Sequence, residues 1–114
     1  MIEWQGYVFI LRDKEPHVAS DLISIDIETW DTLDRLRFWD TINKRCDVFL
    51  CRYNETWFEE KRVADVRVTT QDFLRRVVPS SVPPVPAKVV VFLERVAQFS
   101  REAEERNVPL IFSL

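Results

Sequence analysis

The chain predicts an α+β (or mixed α/β) domain, with a mixed sheet of about five strands covered by two or three helices. Three observations lead there. Residues 87–106 place Val89, Phe92, Val96, Phe99 and Ala103 at 3–4–3–4 spacing, one helical stripe that Leu93 and Ala97 widen. Leu110, Ile111, Phe112 and Leu114 follow directly as a short apolar run, read as a strand buried on both faces. Residues 22–28 alternate strictly, with Ile23, Ile25 and Ile27 against Ser24, Asp26 and Glu28, the pattern of a half-exposed strand.

The remaining elements follow in order. Residues 2–11 read as an interior strand, with Ile2, Trp4, Val8 and Ile10 on one face and Tyr7, Phe9 and Leu11 on the other. Gly6 marks a bulge or a close backbone approach. Residues 13–21 are a polar connection containing Pro16. Residues 29–45 look helical, with Thr29 as a cap and Asp31 and Asp34 near the start, where the helix dipole favours anions. The stripe is poor, because Trp30, Leu33 and Phe38 fall away from Leu36, Trp39 and Ile42.

Residues 47–53 read as a strand apolar on both faces, and 54–56 as a turn. Residues 56–64 fit either a short helix opened by a Thr56–Glu59 capping box or the return arm of a hairpin. Ala64, Val66 and Val68 alternate with Asp65, Arg67 and Thr69 as a strand, and a short helix runs from Thr69 to Val78. Four prolines within 79–86 make a stiff, extended connection into the long helix, with Pro86 suited to its first turn. Asn107 tolerates the left-handed conformation of a C-cap, and Pro109 blocks continuation. Strand–helix–strand units around 22–53 and 63–113 suggest some parallel pairing.

Composition narrows the function classes. The 114 residues make a single globular domain, 1–114, large enough to bury a core without staples. One glycine excludes Gly-rich phosphate loops, and no apolar run approaches the ~20 residues of a membrane span. The N-terminal residues lack the basic lead-in and cleavage site of an export signal, so a cytoplasmic protein with reduced thiols is expected. Residues 1–60 carry 13 acidic and 7 basic side chains, whereas 61–114 carry 6 and 9. The acidic excess disfavours nucleic acid and favours a basic partner.

Little in the chain points to catalysis. His17 stands alone in the polar connection, and Cys46 and Cys51 would need carboxylates to complete a tetrahedral metal site. Cys51 reads as a small core residue. No catalytic residue, metal or cofactor is expected.

The sharpest local pattern is Ile25-Asp26-Ile27-Glu28-Thr29, two carboxylates on one strand face that could share a hard cation. It resembles the first motif of the proofreading-type 3′–5′ exonucleases, and Tyr53 to Glu59 is faintly similar to their second. That resemblance implies a divalent-metal-dependent nuclease using Asp26 and Glu28. The closing helix-to-strand segment from Arg101 to Leu114 is similar to the end of barstar-type ribonuclease inhibitors, which implies an inhibitor.

The favoured expectation is a protein-binding module of immunity or inhibitor type. Its interface would be an acidic, Trp-containing surface of Asp21, Asp26, Glu28, Trp30, Asp31, Asp34 and Phe38 against a basic protein. A structural subunit whose exposed aromatics form a homo-oligomer contact is a third expectation.

Overall fold

The computed structural model describes residues 4–10 and 22–114. Expectations resting on Ile2, Leu11, Pro16, His17, Asp21 and the 13–21 connection lie outside the described residues. The described chain forms four strands, β1 (Gln5–Ile10), β2 (Ile23–Asp26), β3 (Glu55–Phe58) and β4 (Leu110–Ser113). Four α-helices accompany them: α1 (Ile27–Arg35), α2 (Phe38–Cys46), α3 (Lys61–Arg76) and α4 (Ala87–Arg106). The strand order is β2-β1-β4-β3, and every neighbouring pair is antiparallel. The fold is mixed α+β, with four strands in place of about five and no parallel pairing among the described residues.

The C-terminal unit follows the sequence pattern. Val89, Phe92, Leu93, Val96, Ala97, Phe99 and Ala103 are all buried on α4. Asn107 takes the left-handed conformation (φ 53°, ψ 48°), and its N–H donates to the carbonyls of Ala103 and Glu104. Pro86 sits at the N-cap position, where its missing N–H costs nothing. The chain then enters β4, whose Leu110, Ile111 and Phe112 are no more than 1% exposed. β4 is a central strand, between β1 and β3.

Several segments differ from their expected form, among them the strand expected over 22–28, which ends at Asp26 with Ile27 and Glu28 already in α1. The alternating residues 64–69 are helical, inside α3. Val63, Val66, Thr70 and Phe73 recur at 3–4–3 spacing and form its buried face, and the Thr70 hydroxyl donates to the Val66 carbonyl at 2.7 Å. Packing against α4, reinforced by the Arg67 guanidinium on Glu104, outweighs the β-branched composition. Residues 47–53 form no strand: Asp47 and Tyr53 both have positive φ. Asn43 holds this loop by donating to the Leu50 carbonyl and accepting the Leu50 N–H at 2.7 Å. The expected helix over 29–45 is two helices, because Arg37 turns left-handed at φ 63° between α1 and α2. Residues 56–64 resolve as the end of β3 followed by the start of α3.

The inner sheet face carries Val8, Ile10, Ile23, Ile25, Phe58 and Phe112 into one core with the helices. Gly6 is the expected close approach. A Cβ there would meet Leu114 Cδ2 at 2.9 Å and Ile25 and Trp4 at 3.1 Å. The opposite face exposes Tyr7, Ser24, Glu55 and Trp57. Phe9, Ile111 and Trp57 lie in register across β1, β4 and β3.

Phe112 contacts both Phe58 and Trp39 edge-on, at centroid distances of 5.3 and 6.5 Å. Phe112→Ala is expected to cost about 3–5 kcal/mol of unfolding free energy, as large-to-small substitutions in packed cores do. Phe49→Ala, at a 76% exposed ring, is expected to cost under about 0.5 kcal/mol. Denaturant midpoints of the two variants check the contrast.

Candidate functional site

The described carboxylates of the expected acidic surface fall at the end of β2 and on α1. Asp26 ends β2 and caps α1, its Oδ1 accepting the Thr29 N–H at 2.8 Å. The cap is Asp26, one turn earlier than the expected Thr29, which is buried. Glu28, Asp31 and Asp34 are exposed on α1. Their spacing puts Glu28 and Asp31 on the solvent side and Asp34 at its margin. Asp21 lies outside the described residues.

The aromatic half of that surface is a correction. Trp30 is 8% exposed and Phe38 is fully buried. Trp30 stacks on Trp39 at 4.3 Å between centroids, its carbonyl accepts the Trp39 indole N–H, and Trp4 meets it edge-on at 5.6 Å. Phe38 packs edge-on against Trp39 and Phe73. Both rings turn inward because the break at Arg37 gives α1 and α2 separate buried faces. Neither ring is available as an anchor.

Asp26 and Glu28 do converge, although not on a strand face, since Glu28 lies in the first turn of α1. Their meeting point is the ammonium of Lys88, from the first turn of α4, with Nζ 3.1 Å from Asp26 Oδ2 and also bonded to Glu28. Glu28, then Asp26, raise the Lys88 pKa. Partial burial pushes the Asp26 carboxyl up. The Thr29 hydrogen bonds and the Lys88 ammonium outweigh it and hold Asp26 below its ordinary value. These two carboxylates therefore tie α1 to α4. Among the described residues, no group of three or more Asp, Glu, His or Cys is arranged to hold a metal ion.

Large exposed rings occur elsewhere. Phe49 is 76% and Tyr53 80% exposed in the loop before β3, and Trp57 is 45% exposed on β3 itself. The loop has a fixed frame. Asn43 clamps Leu50, Asn54 Nδ2 donates to the Phe49 carbonyl, and the Asn54 carbonyl accepts the Leu114 N–H at 2.9 Å. Arg52 lies 5.8 Å from the centroids of both Trp4 and Tyr53, a cation–π arrangement at each. Trp57 Nε1 donates to Glu55.

β3 is also an edge strand. The Leu114-to-Asn54 bond belongs to the same register as β3–β4, so Asn54, Thr56 and Phe58 direct their backbone groups to β4. Glu55 and Trp57 direct theirs outward. Residues 47–53 looked like a doubly buried strand in the sequence, which concealed this surface. The only local signals were the Asn54 turn and the density of rings between 49 and 58.

Of the cysteines, Cys46 is buried on α2 and Cys51 half-buried in the loop, both free thiols. Burial pushes the Cys46 thiol up to about 11. No helix among the described residues is long and apolar enough to cross a membrane.

Asp26→Ala is expected to cost about 1 kcal/mol at neutral pH by removing the cap. Because the folded carboxyl titrates below its ordinary 3.8, this contribution is complete above that pH and is lost as pH falls through the folded value. Urea midpoints for wild type and variant should therefore converge on acidification, and a gap that widens would contradict the cap. A thiol reagent should label Cys51 in the native protein and Cys46 only after unfolding. Comparison of the chain with protein-family models, curated proteins and solved structures returns no match.

Proposed function

We propose that this chain is a non-catalytic protein-binding module that docks its partner through residues 49–57, at the free edge of the sheet. The observation that carries the reading is the joint exposure of Phe49, Tyr53 and Trp57 on one braced segment. Burying a large ring is worth about 1.5–3 kcal/mol, so three exposed together are a concentrated source of binding energy. The Asn43 and Asn54 hydrogen bonds supply preorganisation, which lowers the entropy cost of association. The free thiols support a reducing compartment, the cytoplasm.

A second reading retains the basic partner, engaged in the manner of an immunity or inhibitor protein. The exposure of Glu28, Asp31 and Asp34 on α1 favours it. It lacks an aromatic anchor, and Lys88 already neutralises part of its charge. A nuclease built on Asp26 and Glu28 has less support, since both carboxylates are engaged by that ammonium.

Affinity capture from the source cells separates the two surfaces. The Phe49→Ser, Tyr53→Ser, Trp57→Ser triple variant should lose the partner, with recovery falling about tenfold or more. Asp31→Lys with Asp34→Lys should retain it. The reverse pattern would place the interface on α1 and overturn the first reading.

A further inference from the structure

We infer that the groove between α2 and α3 is a binding site for a small phosphomonoester, a tetrahedral anion carried on an apolar body. It lies on other elements than the docking surface proposed above and does not depend on it. The groove has a volume of about 190 Å³. Buried Phe73 and half-buried Leu36 and Val77 give it an apolar floor. Arg45, Thr69 and Arg76 supply polar walls. The two segments that line it, 36–45 and 69–77, carry five basic side chains against Asp40 and Asp72. This side of the molecule is therefore cationic, in a chain of net charge −3.

The hydrogen-bonding groups of the groove identify the chemistry of its ligand. Thr69 is 2% exposed, and its hydroxyl accepts from Arg45 Nη1 at 3.3 Å. That hydroxyl donates to no group among the described residues. The buried hydroxyls of Thr70 and Ser100, by contrast, each donate to the carbonyl one turn back at 2.7 Å. A buried donor left open at the wall of a cavity calls for an acceptor inside it. The Arg76 guanidinium also makes no hydrogen bond among the described residues, although its charge acts on Asp72. Arg45 is held only at 3.3 and 3.4 Å, by Thr69 and Asp72. The carboxylate in the groove, Asp72, is already bonded by Arg75 at 2.5 Å. Donors therefore outnumber acceptors, and the missing partner is an anion. The Thr69 hydroxyl and the two guanidiniums match the three terminal oxygens of a phosphomonoester better than the two of a carboxylate. The floor of Leu36, Phe73 and Val77 takes the alkyl or aryl group of the ester. An internal phosphodiester of nucleic acid offers only two terminal oxygens, and the acidic excess of the chain opposes a polyanion.

Isothermal titration of the full chain with phenyl phosphate tests the proposal, with inorganic phosphate and phenol as its separate halves. Wild type should bind phenyl phosphate with a Kd of about 1 mM or tighter, inorganic phosphate more weakly, and phenol not measurably. Thr69→Val, which keeps the shape and removes the hydroxyl, and Arg76→Gln should each weaken binding by about fivefold or more. Asp72→Asn should tighten it, because the carboxylate that competes for Arg45 is gone. Urea midpoints establish that each variant is folded at the titration temperature. If these charges serve only to hold α2 against α3, Asp72→Asn loses stability and gains no affinity, and the proposal fails. Wild type silent toward phenyl phosphate up to about 10 mM overturns it as well. Binding unchanged by both Thr69→Val and Arg76→Gln would be an adventitious ion only. A short single-stranded oligonucleotide that binds more tightly than phenyl phosphate, and is weakened by Arg76→Gln, would reassign the groove to a phosphodiester and overturn the ligand named here.

Discussion

The placement of β4 is the constraint on which the rest of the molecule depends. This last strand is four residues long, is buried on both faces, and separates β1 from β3. The α4 helix delivers it there through the left-handed Asn107 and the two residues after it. Without β4, β1 and β3 have no common neighbour and Phe112 leaves the space between Phe58 and Trp39. The sheet is therefore joined across its middle by β4. The same placement leaves β3 on the outside, with Trp57 and the preceding loop at the margin of the molecule.

The part of the fold legible in the sequence is the part where local pattern and tertiary packing agree. In α4 and β4, spacing, caps and apolar content point the same way, and the structure follows them. In α3 they conflict. Residues 64–69 alternate like a strand, but their neighbours Val63, Thr70 and Phe73 complete a helical stripe, and contact with α4 decides the outcome. Turn positions were obscured for a separate reason. The only glycine serves a close approach in β1, so among the described residues the left-handed positions fall on Arg37, Asp47, Tyr53, Glu60 and Asn107. Of these, Asn107 and Asp47 are the residues whose type suits the conformation. Glu60, at φ 53° and ψ −126°, takes a geometry usually left to glycine.

The candidate site shows the same division. The acidic residues were legible as charge but not as placement, since Glu28, read as the end of a strand, lies in the first turn of α1. The fate of the aromatics was not legible, because it turned on the break at Arg37. One continuous helix over 29–45 cannot bury Trp30, Phe38 and Trp39 together, and the poor stripe there was the trace of two helices with different inner faces. Once the chain bends, Trp30 and Trp39 stack and Phe38 reaches Phe73. Conversely, residues 47–53 looked buried because their apolar content suits a strand. Asn43, seven residues before Leu50, supplies the hydrogen bonds that a strand partner would have given. That bond exists only once α2 has formed, so the composition of the loop could not disclose it.

Amide hydrogen exchange across β3, on protein dilute enough to be monomeric, tests the central placement most directly. With β4 between β1 and β3, the Thr56 and Phe58 amides face β4 and should exchange slowly, together with Leu110 and Phe112. The Trp57 amide faces solvent and should exchange quickly. Slow exchange at Trp57 with rapid exchange at Thr56 and Phe58 would mean that β3 meets its neighbour in another register or on its other side, and the outward edge assigned to Glu55 and Trp57 would not exist.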